Sequence, residues 1–271
     1  MNKIYERCSI DSDRYVHDSD KKALKALTAI PGFTPLLRGF MKIWSERQLR
    51  IANMASNIKI TEKQLPEYYD MLPPICHRLG IRVPELYLEL DPTANAYTSG
   101  DNEPFIVLTS GLLETVPHEY IPSVLAHECG HIACHHVLYH TMGEMIINGA
   151  AQLLGFGSLI SLPIQVAFYY WMRCSELSAD RAAMVYDGCS DKMIDVCMCL
   201  AGADKDIGLN IDRDLFMAQA VEYNDMIKES AWNKTLEFLT ISQSSHPFLA
   251  VRAYECNQWA KTKQFLRIKS I

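Results

Sequence analysis

The sequence predicts a mostly helical α+β chain in which a small antiparallel sheet precedes one central helix. Apolar residues recur at helical spacing along most of the chain, while strict alternation is confined to the region before residue 110. There Leu86, Leu88 and Leu90 are interleaved with Tyr87 and Glu89. Just beyond, residues 121–140 carry His127-Glu128-x-x-His131. That spacing sets two imidazoles on one face only if the stretch is a helix, and Val124, Leu125 and Ile132 supply its apolar back.

This constellation points to metal hydrolysis. Two neutral imidazoles one turn apart supply two of the three protein ligands of a catalytic zinc, and the fourth position stays open for water. A carboxylate beside the first imidazole, Glu128, is placed to take the proton of the attacking water. A third ligand has to come from a later helix. Glu176-x-x-x-Asp180 offers two carboxylates on one helical face, so that one can bind the metal while the other orients a ligating imidazole. His135, His136 and His140 lie on the same stretch as the first two histidines. Consecutive turns of one straight helix cannot wrap a tetrahedral ion, so these are read as surface histidines or as supports behind the ligands.

The elements follow in order. Residues 1–17 are polar and irregular. Residues 18–27 form a short helix that Pro31-Gly32 ends. A second helix spans about residues 35–55, with Leu36, Leu37, Phe40, Ile43 and Trp44 apolar among Arg38, Lys42, Arg47 and Arg50. Packing on the catalytic unit is preferred for it over lying on a membrane surface. A third helix runs from Pro66 to Gly80, and the strand at 86–90 then buries one face. Residues 94–98 and 104–109 form a hairpin around Ser99-Gly100-Asp101-Asn102. The histidine helix starts between Pro117 and Pro122, because proline is tolerated only in the first turn.

Residues 145–172 hold no charge over 28 positions, long enough to cross a bilayer once. A single crossing would carry the chain ~30 Å from its entry point and leave Glu176 out of reach of His127 and His131. The segment must double back, with Gly155, Gly157, Ser158 and Pro163 as the break. It is read as a helical hairpin, either folded on the protein or dipping into a membrane interface. Helices at 172–187, about 192–200, 212–223, 231–240 and 247–265 complete the chain.

Composition narrows the partners. A net charge of −6 lacks the basic field that nucleic-acid binding needs, so nucleic acid is excluded. Nine cysteines without a Cys-x-x-Cys pair, and an N-terminus without a secretory signal, predict buried thiols in a reducing cytoplasm. Cys197-Met-Cys199 sits in a helical core pattern with Met193, Val196 and Leu200 and is read as packing. The expected organisation is an N-terminal arm and helices at 1–64 packed on a catalytic unit at 65–271, which includes the hairpin at 145–172.

Three blocks in order, Leu125-Ala126-His127-Glu128-Cys129-Gly130-His131, Arg173-x-x-Glu176-x-x-x-Asp180-Arg181 and His246-Pro247-x-x-x-x-Arg252, resemble the zinc metallopeptidases that include the HtpX heat-shock protease and the type 1 CAAX prenyl endopeptidases. Asn95-Ala96-Tyr97 is similar to the Asn-Ala-aromatic strand of that family. The resemblance implies a zincin-like fold and one zinc per chain held by His127, His131 and Glu176. It further implies Glu128 as general base, Asp180 and Arg252 behind the ligands, and His246 near the metal, where its alternative is a cap before the Pro247 helix. Asn95, Ala96 and Tyr97 would bind an extended peptide by strand addition. Members of that family carry clear transmembrane helices that this chain lacks, so their membrane substrates are not carried over. The expected activity is that of a zinc metalloendopeptidase acting on peptide or protein substrates, cytoplasmic, with peripheral membrane contact through 145–172 left open. The alternatives are a non-catalytic zinc-containing peptide-binding or chaperone-like protein, against which Glu128 counts, and an integral-membrane quality-control protease.

Overall fold

The computed structural model describes residues 8–43, 45–147, 161–203, 211–230 and 248–271. Three helices open it, α1 (Asp18–Thr28), α2 (Phe33–Ile43) and α3 (Glu46–Ser56), followed by β1 (Ile58–Ile60), α4 (Pro66–Tyr69) and α5 (Leu72–Leu79). The single helix expected at 35–55 is thus two, α3 starting after Ser45. Gly80 ends α5 with φ +68°, a left-handed conformation that glycine takes without strain.

Three strands come next, β2 (Glu85–Glu89), β3 (Ala96–Ser99) and β4 (Phe105–Thr109). The four-stranded sheet has the order β1-β2-β4-β3. β3 and β4 form the expected antiparallel hairpin, and β1 is antiparallel to β2. The sheet is nevertheless mixed rather than antiparallel throughout, because β4 pairs in parallel with β2. The cause is the loop from Asp91 to Asn95, which carries the chain past the β4 position before the hairpin turns back. This loop is tied down where Gly111 N donates to Asp91 O at 2.8 Å and Thr109 Oγ1 donates to Thr93 O at 2.6 Å. A side chain at Gly111 would collide with the Pro92 carbonyl.

The sheet is covered on both faces. Leu86, Ile106 and Leu108 join the main core, while Tyr87, Phe105 and Val107 form a second layer under Leu49 of α3. The expected alternation therefore fails at two places: Tyr87 is fully buried, and Leu90, beyond the end of the strand, is 93% exposed.

The helical layer is built on α6 (Ser110–Thr115), α7 (Ile121–Ala133), α8 (Val137–Ile147) and α9 (Leu162–Asp187). It is completed by α10 (Asp191–Ala201), α11 (Arg213–Glu229), α12 (Leu249–Ala260) and α13 (Lys263–Lys269). α7 begins with Pro122 in its first turn, as expected. α7 and α9 cross at small residues: a Cβ on Gly130 would lie 2.6 Å from Ala182 Cβ and 3.0 Å from Ala179 Cα. The missing side chain is what lets the two backbones approach.

α8 and α9 run antiparallel, His140 meeting Ser175 at 2.6 Å while Gly143 abuts Met172 and Phe168. The hairpin expected at 145–172 therefore has its arms in these two helices, its tip lying outside the described residues. α9 is unbroken from Leu162, with Pro163 in its first turn rather than at a break. Among the described residues no helix is long and apolar enough to cross a membrane. A second core of Leu27, Phe33, Leu36, Phe40, Phe168 and Trp171 binds α1 and α2 to the α8–α9 pair. All nine cysteines are free thiols, and Cys197 is fully buried in the core as its spacing predicts.

Candidate metal centre

Because α7 and α9 cross so closely, residues separated by half a hundred positions in sequence meet. His127 Nε2 lies 3.3 Å from His131 Nε2. Glu176 completes the triangle, with Oε2 at 3.4 Å from His127 Nε2 and Oε1 at 3.3 Å from His131 Nε2. All three side chains are buried. Ligands at the corners of a tetrahedron with bonds of ~2.0–2.1 Å are separated by about 3.3–3.4 Å, so the donors already stand at the spacing of a His₂Glu metal site.

Behind these donors lies a buried charge network. His127 Nδ1 meets Asp180 Oδ1 at 2.9 Å. Arg252, delivered by α12, donates from Nη2 to Asp180 Oδ1 at 2.6 Å and from Nε to Oδ2 at 2.9 Å, and its Nη1 is 3.5 Å from Glu176 Oε2. Burial would raise the Asp180 pKa, but Arg252 and His127 hold it below the usual carboxylate range. At His127 burial and Arg252 both disfavour the imidazolium, yet Asp180 and Glu176 outweigh them and lift the pKa to about 9. At His131 burial prevails over Glu176 and the pKa falls. The metal-free site thus favours a proton on His127 and disfavours one on His131.

Glu128 lines the same cleft as His127 and Glu176. Its Oε2 accepts a hydrogen bond from Thr98 Oγ1 at 2.7 Å, so the outer strand β3 fixes the carboxylate's direction. The site opens on both sides of Glu128. One cavity, about 280 Å³, has Asn95 and Ala96 at its edge and apolar walls from Leu112, Val124, Met193, Val196, Leu200 and Leu249. A second, about 570 Å³, runs under Tyr97, Thr98 and Ser99 to His140, Thr141 and Glu144.

A model of peptidase family M48 matches residues 78–260, from α5 to the end of α12. The chain belongs to that family. It is 30% identical over 259 residues to the plastoglobule-localized metallopeptidase 48 of Arabidopsis thaliana, an alignment covering 94% of this chain and 75% of the relative. Two bacterial relatives, both Protease HtpX homologs, match over shorter stretches. The Pelotomaculum thermopropionicum protein is 30% identical over 122 residues, 44% of this chain and 41% of its own length. The Sulfurovum protein is 32% identical over 91 residues, 33% of each chain. No solved structure matches this chain.

As an M48 metallopeptidase the protein is a hydrolase that uses a metal, and the residues singled out from sequence can be located against its cluster. His127, His131, Glu176, Asp180 and Arg252 converge within hydrogen-bonding or ion-pairing reach of one another. Asn95, Ala96 and Tyr97 line the cleft, although Asn95 turns its backbone inward, its N–H on Thr109 Oγ1 at 2.9 Å. His246 lies outside the described residues. His135 is exposed at the α7–α8 turn, but His136 is buried against His131. Sequence reasoning missed Thr98 as the partner of Glu128, and it missed Asp20, which meets His136 at 2.9 Å. Neither carries a local signal, since each acts across a gap that only the fold closes.

Proposed function

We propose that the chain is a zinc-dependent metalloendopeptidase in which His127, His131 and Glu176 hold one zinc and Glu128 is the general base. The observation that carries this reading is the mutual spacing of the three buried donors, 3.3 to 3.4 Å. Two imidazoles and a carboxylate suit zinc. Bound there, zinc supplies Lewis acidity, lowering the pKa of water toward ~7 and polarising a peptide carbonyl.

The remaining work belongs to the chain. Glu128, aimed by Thr98, takes a proton from the attacking water and returns it to the leaving amine. Asp180 accepts from His127 Nδ1 and so keeps the Nε2 lone pair directed at the metal, while Arg252 balances the paired carboxylates. β3 is the outer strand on this side of the sheet, and a substrate adding antiparallel to it runs from the Ser99 end toward Asn95. Residues before the scissile bond then lie over the larger cavity, toward His140, Thr141 and Glu144, and the residue after it enters the smaller one, walled by Leu112, Val124, Met193 and Leu249. A protein or peptide substrate with an apolar side chain just after the cleaved bond fits best.

The test is digestion of an unfolded model protein by zinc-loaded and chelator-stripped enzyme, with every new terminus assigned by mass spectrometry. Cleavage that requires re-added zinc, with Leu, Met or Phe enriched just after the cut, is expected. Equal cleavage after full metal removal would overturn the zinc assignment, and enrichment only before the cut would reverse the substrate direction.

A further inference from the structure

The two histidines of the cluster are supported differently. His127 meets a carboxylate directly, whereas His131 Nδ1 meets another imidazole, His136 Nδ1, at 3.1 Å. His136 Nε2 in turn lies 2.9 Å from Asp20 Oδ2 on α1. Trp171 Nε1 donates to Asp20 Oδ1 at 2.9 Å, and Ser178 Oγ donates to Oδ2 at 2.6 Å. His131, His136, Asp20, Trp171 and Ser178 are all buried.

One proton arrangement satisfies the whole line. The Nε2 of His131 faces His127 and Glu176, so a neutral His131 that offers Nε2 to a metal carries its proton on Nδ1. His136 Nδ1 must then accept, which places the His136 proton on Nε2, where it points at a carboxylate already oriented by two other donors. The backbone is bent to allow this. His135, between α7 and α8, has φ +58°, a left-handed conformation that a non-glycine residue adopts at a conformational cost. The turn returns His136 N–H to His131 O at 2.9 Å and brings its ring edge-on to the ring of His131.

We propose that Asp20 and His136 are positioning residues for the metal, orienting His131 and raising its strength as a ligand, so that α1 is part of the metal centre. α1 lies outside residues 78–260, the segment matched by the family model. The inference rests on the reading of His131 as a ligand. Metal affinity, more than fold stability, should therefore depend on the α1 carboxylate. Outer-sphere partners of metal-bound histidines typically govern affinity by about ten- to a hundredfold.

The experiment measures the zinc dissociation constant of the full chain by competition with a chromogenic chelator, alongside metal-free thermal unfolding and the visible absorption of the cobalt(II)-loaded protein. Asp20→Asn and His136→Phe should bind zinc about ten- to a hundredfold more weakly and shift the cobalt bands. His136→Gln, which retains one acceptor and one donor, should recover most of the affinity. Leu27→Ala, a cavity on α1 that removes no hydrogen-bonding group of the line, should lower the unfolding temperature while zinc affinity stays at the wild-type value. If Asp20→Asn binds zinc as the wild type does while Glu176→Ala loses it, the positioning role is wrong and the zinc site stands. If the wild type and Glu176→Ala bind equally, the ligand assignment itself fails. Where His136→Phe does not fold, the near-isosteric Asp20→Asn and His136→Gln decide: unchanged affinity in the first, or full loss in the second, overturns the proposal.

Discussion

Arg252 grips both oxygens of Asp180, from Nη2 at 2.6 Å and from Nε at 2.9 Å, and both residues are buried. Since Asp180 Oδ1 also takes His127 Nδ1, a residue on α12 controls the direction of a histidine on α7. Replacing Arg252 with Ala leaves the Asp180 and Glu176 carboxylates without their cation. The expected result is a loss of ~3–5 kcal/mol in metal-free stability, the usual effect of breaking a buried pair. Zinc affinity should drop alongside it. Arg252→Lys restores the charge without the two-pronged geometry and should fall between. Denaturant titrations of the three proteins measure the first effect; unchanged midpoints would mean that Arg252 is not structurally coupled to the site.

Glu176→Ala should abolish tight zinc binding, because two imidazoles alone do not hold a catalytic zinc. Elemental analysis after exhaustive dialysis reads this directly. A full equivalent of zinc retained at wild-type affinity would remove Glu176 from the ligand set.

The half of the site that rests on helical spacing was legible without coordinates. His127 with His131, and Glu176 with Asp180, stand four residues apart, so each pair shares a face wherever a helix forms. The parts that depend on long-range packing were not legible. Thr98 reaches Glu128 only because β3 lies along α7, and Asp20 reaches His136 only because α1 packs against α9, where Trp171 and Ser178 also hold the Asp20 carboxylate. Alternation around Leu86 located a strand but could not reveal that α3 would cover its second face, burying Tyr87, nor that β4 would insert in parallel beside it. The absence of charge from 145 to 172 serves a lipid-facing and a core-facing helix alike: among the described residues Phe168 and Trp171 are buried while Leu162 and Tyr170 are exposed, and Pro163 starts a helix rather than breaking one.

Gly130→Ala should be destabilising although alanine is the better helix former by ~1 kcal/mol. The added Cβ would meet Ala182 Cβ at 2.6 Å and the backbone Cα of Ala179 at 3.0 Å, and backbone cannot swing aside. Overpacking of this kind costs ~1–3 kcal/mol and would push Glu176 away from the two histidines. Lower thermal stability together with reduced zinc occupancy is expected, with partial recovery in Gly130→Ala combined with Ala182→Gly. A single variant as stable and as zinc-loaded as the wild type would show that the close crossing does not set the site.

Glu85 ties α3 and β1 to the sheet, Arg50 Nη2 donating to its Oε1 at 2.6 Å and Lys59 forming a second ion pair. Burial acts to raise its pKa, but hydrogen bonds from Lys59, Tyr87 and Arg50 lower it from 4.5 to about 2. A carboxylate depressed in the folded state binds fewer protons there than when unfolded, so its contribution is complete above pH 4.5 and is lost as pH falls toward 2. Glu85→Gln should lower stability at neutral pH and converge on the wild type near the lower limit. Chemical denaturation across that range tests it; parallel curves would mean that Glu85 is not the group responsible.

Glu128→Gln isolates the base from the metal. Glutamine keeps the shape of the side chain and can still accept from Thr98 Oγ1, which lies 2.7 Å from Glu128 Oε2, so the position of the group should hold. None of His127, His131 or Glu176 is altered, and the charge network at Asp180 and Arg252 is untouched. Zinc content and fold should match the wild type. What disappears is the proton acceptor. Hydrolysis of an unfolded model protein should fall by about two to four orders of magnitude, the usual contribution of a positioned acid or base, and it should fall in kcat rather than KM, because the strand-binding edge at β3 is intact. The variant should then retain peptide without cutting it, which a pull-down with zinc-loaded protein would detect. If it cleaves as fast as the wild type at equal zinc, the proton goes elsewhere and Glu128 is not the base. If activity and zinc are lost together, the residue acts on the metal site and not on the attacking water.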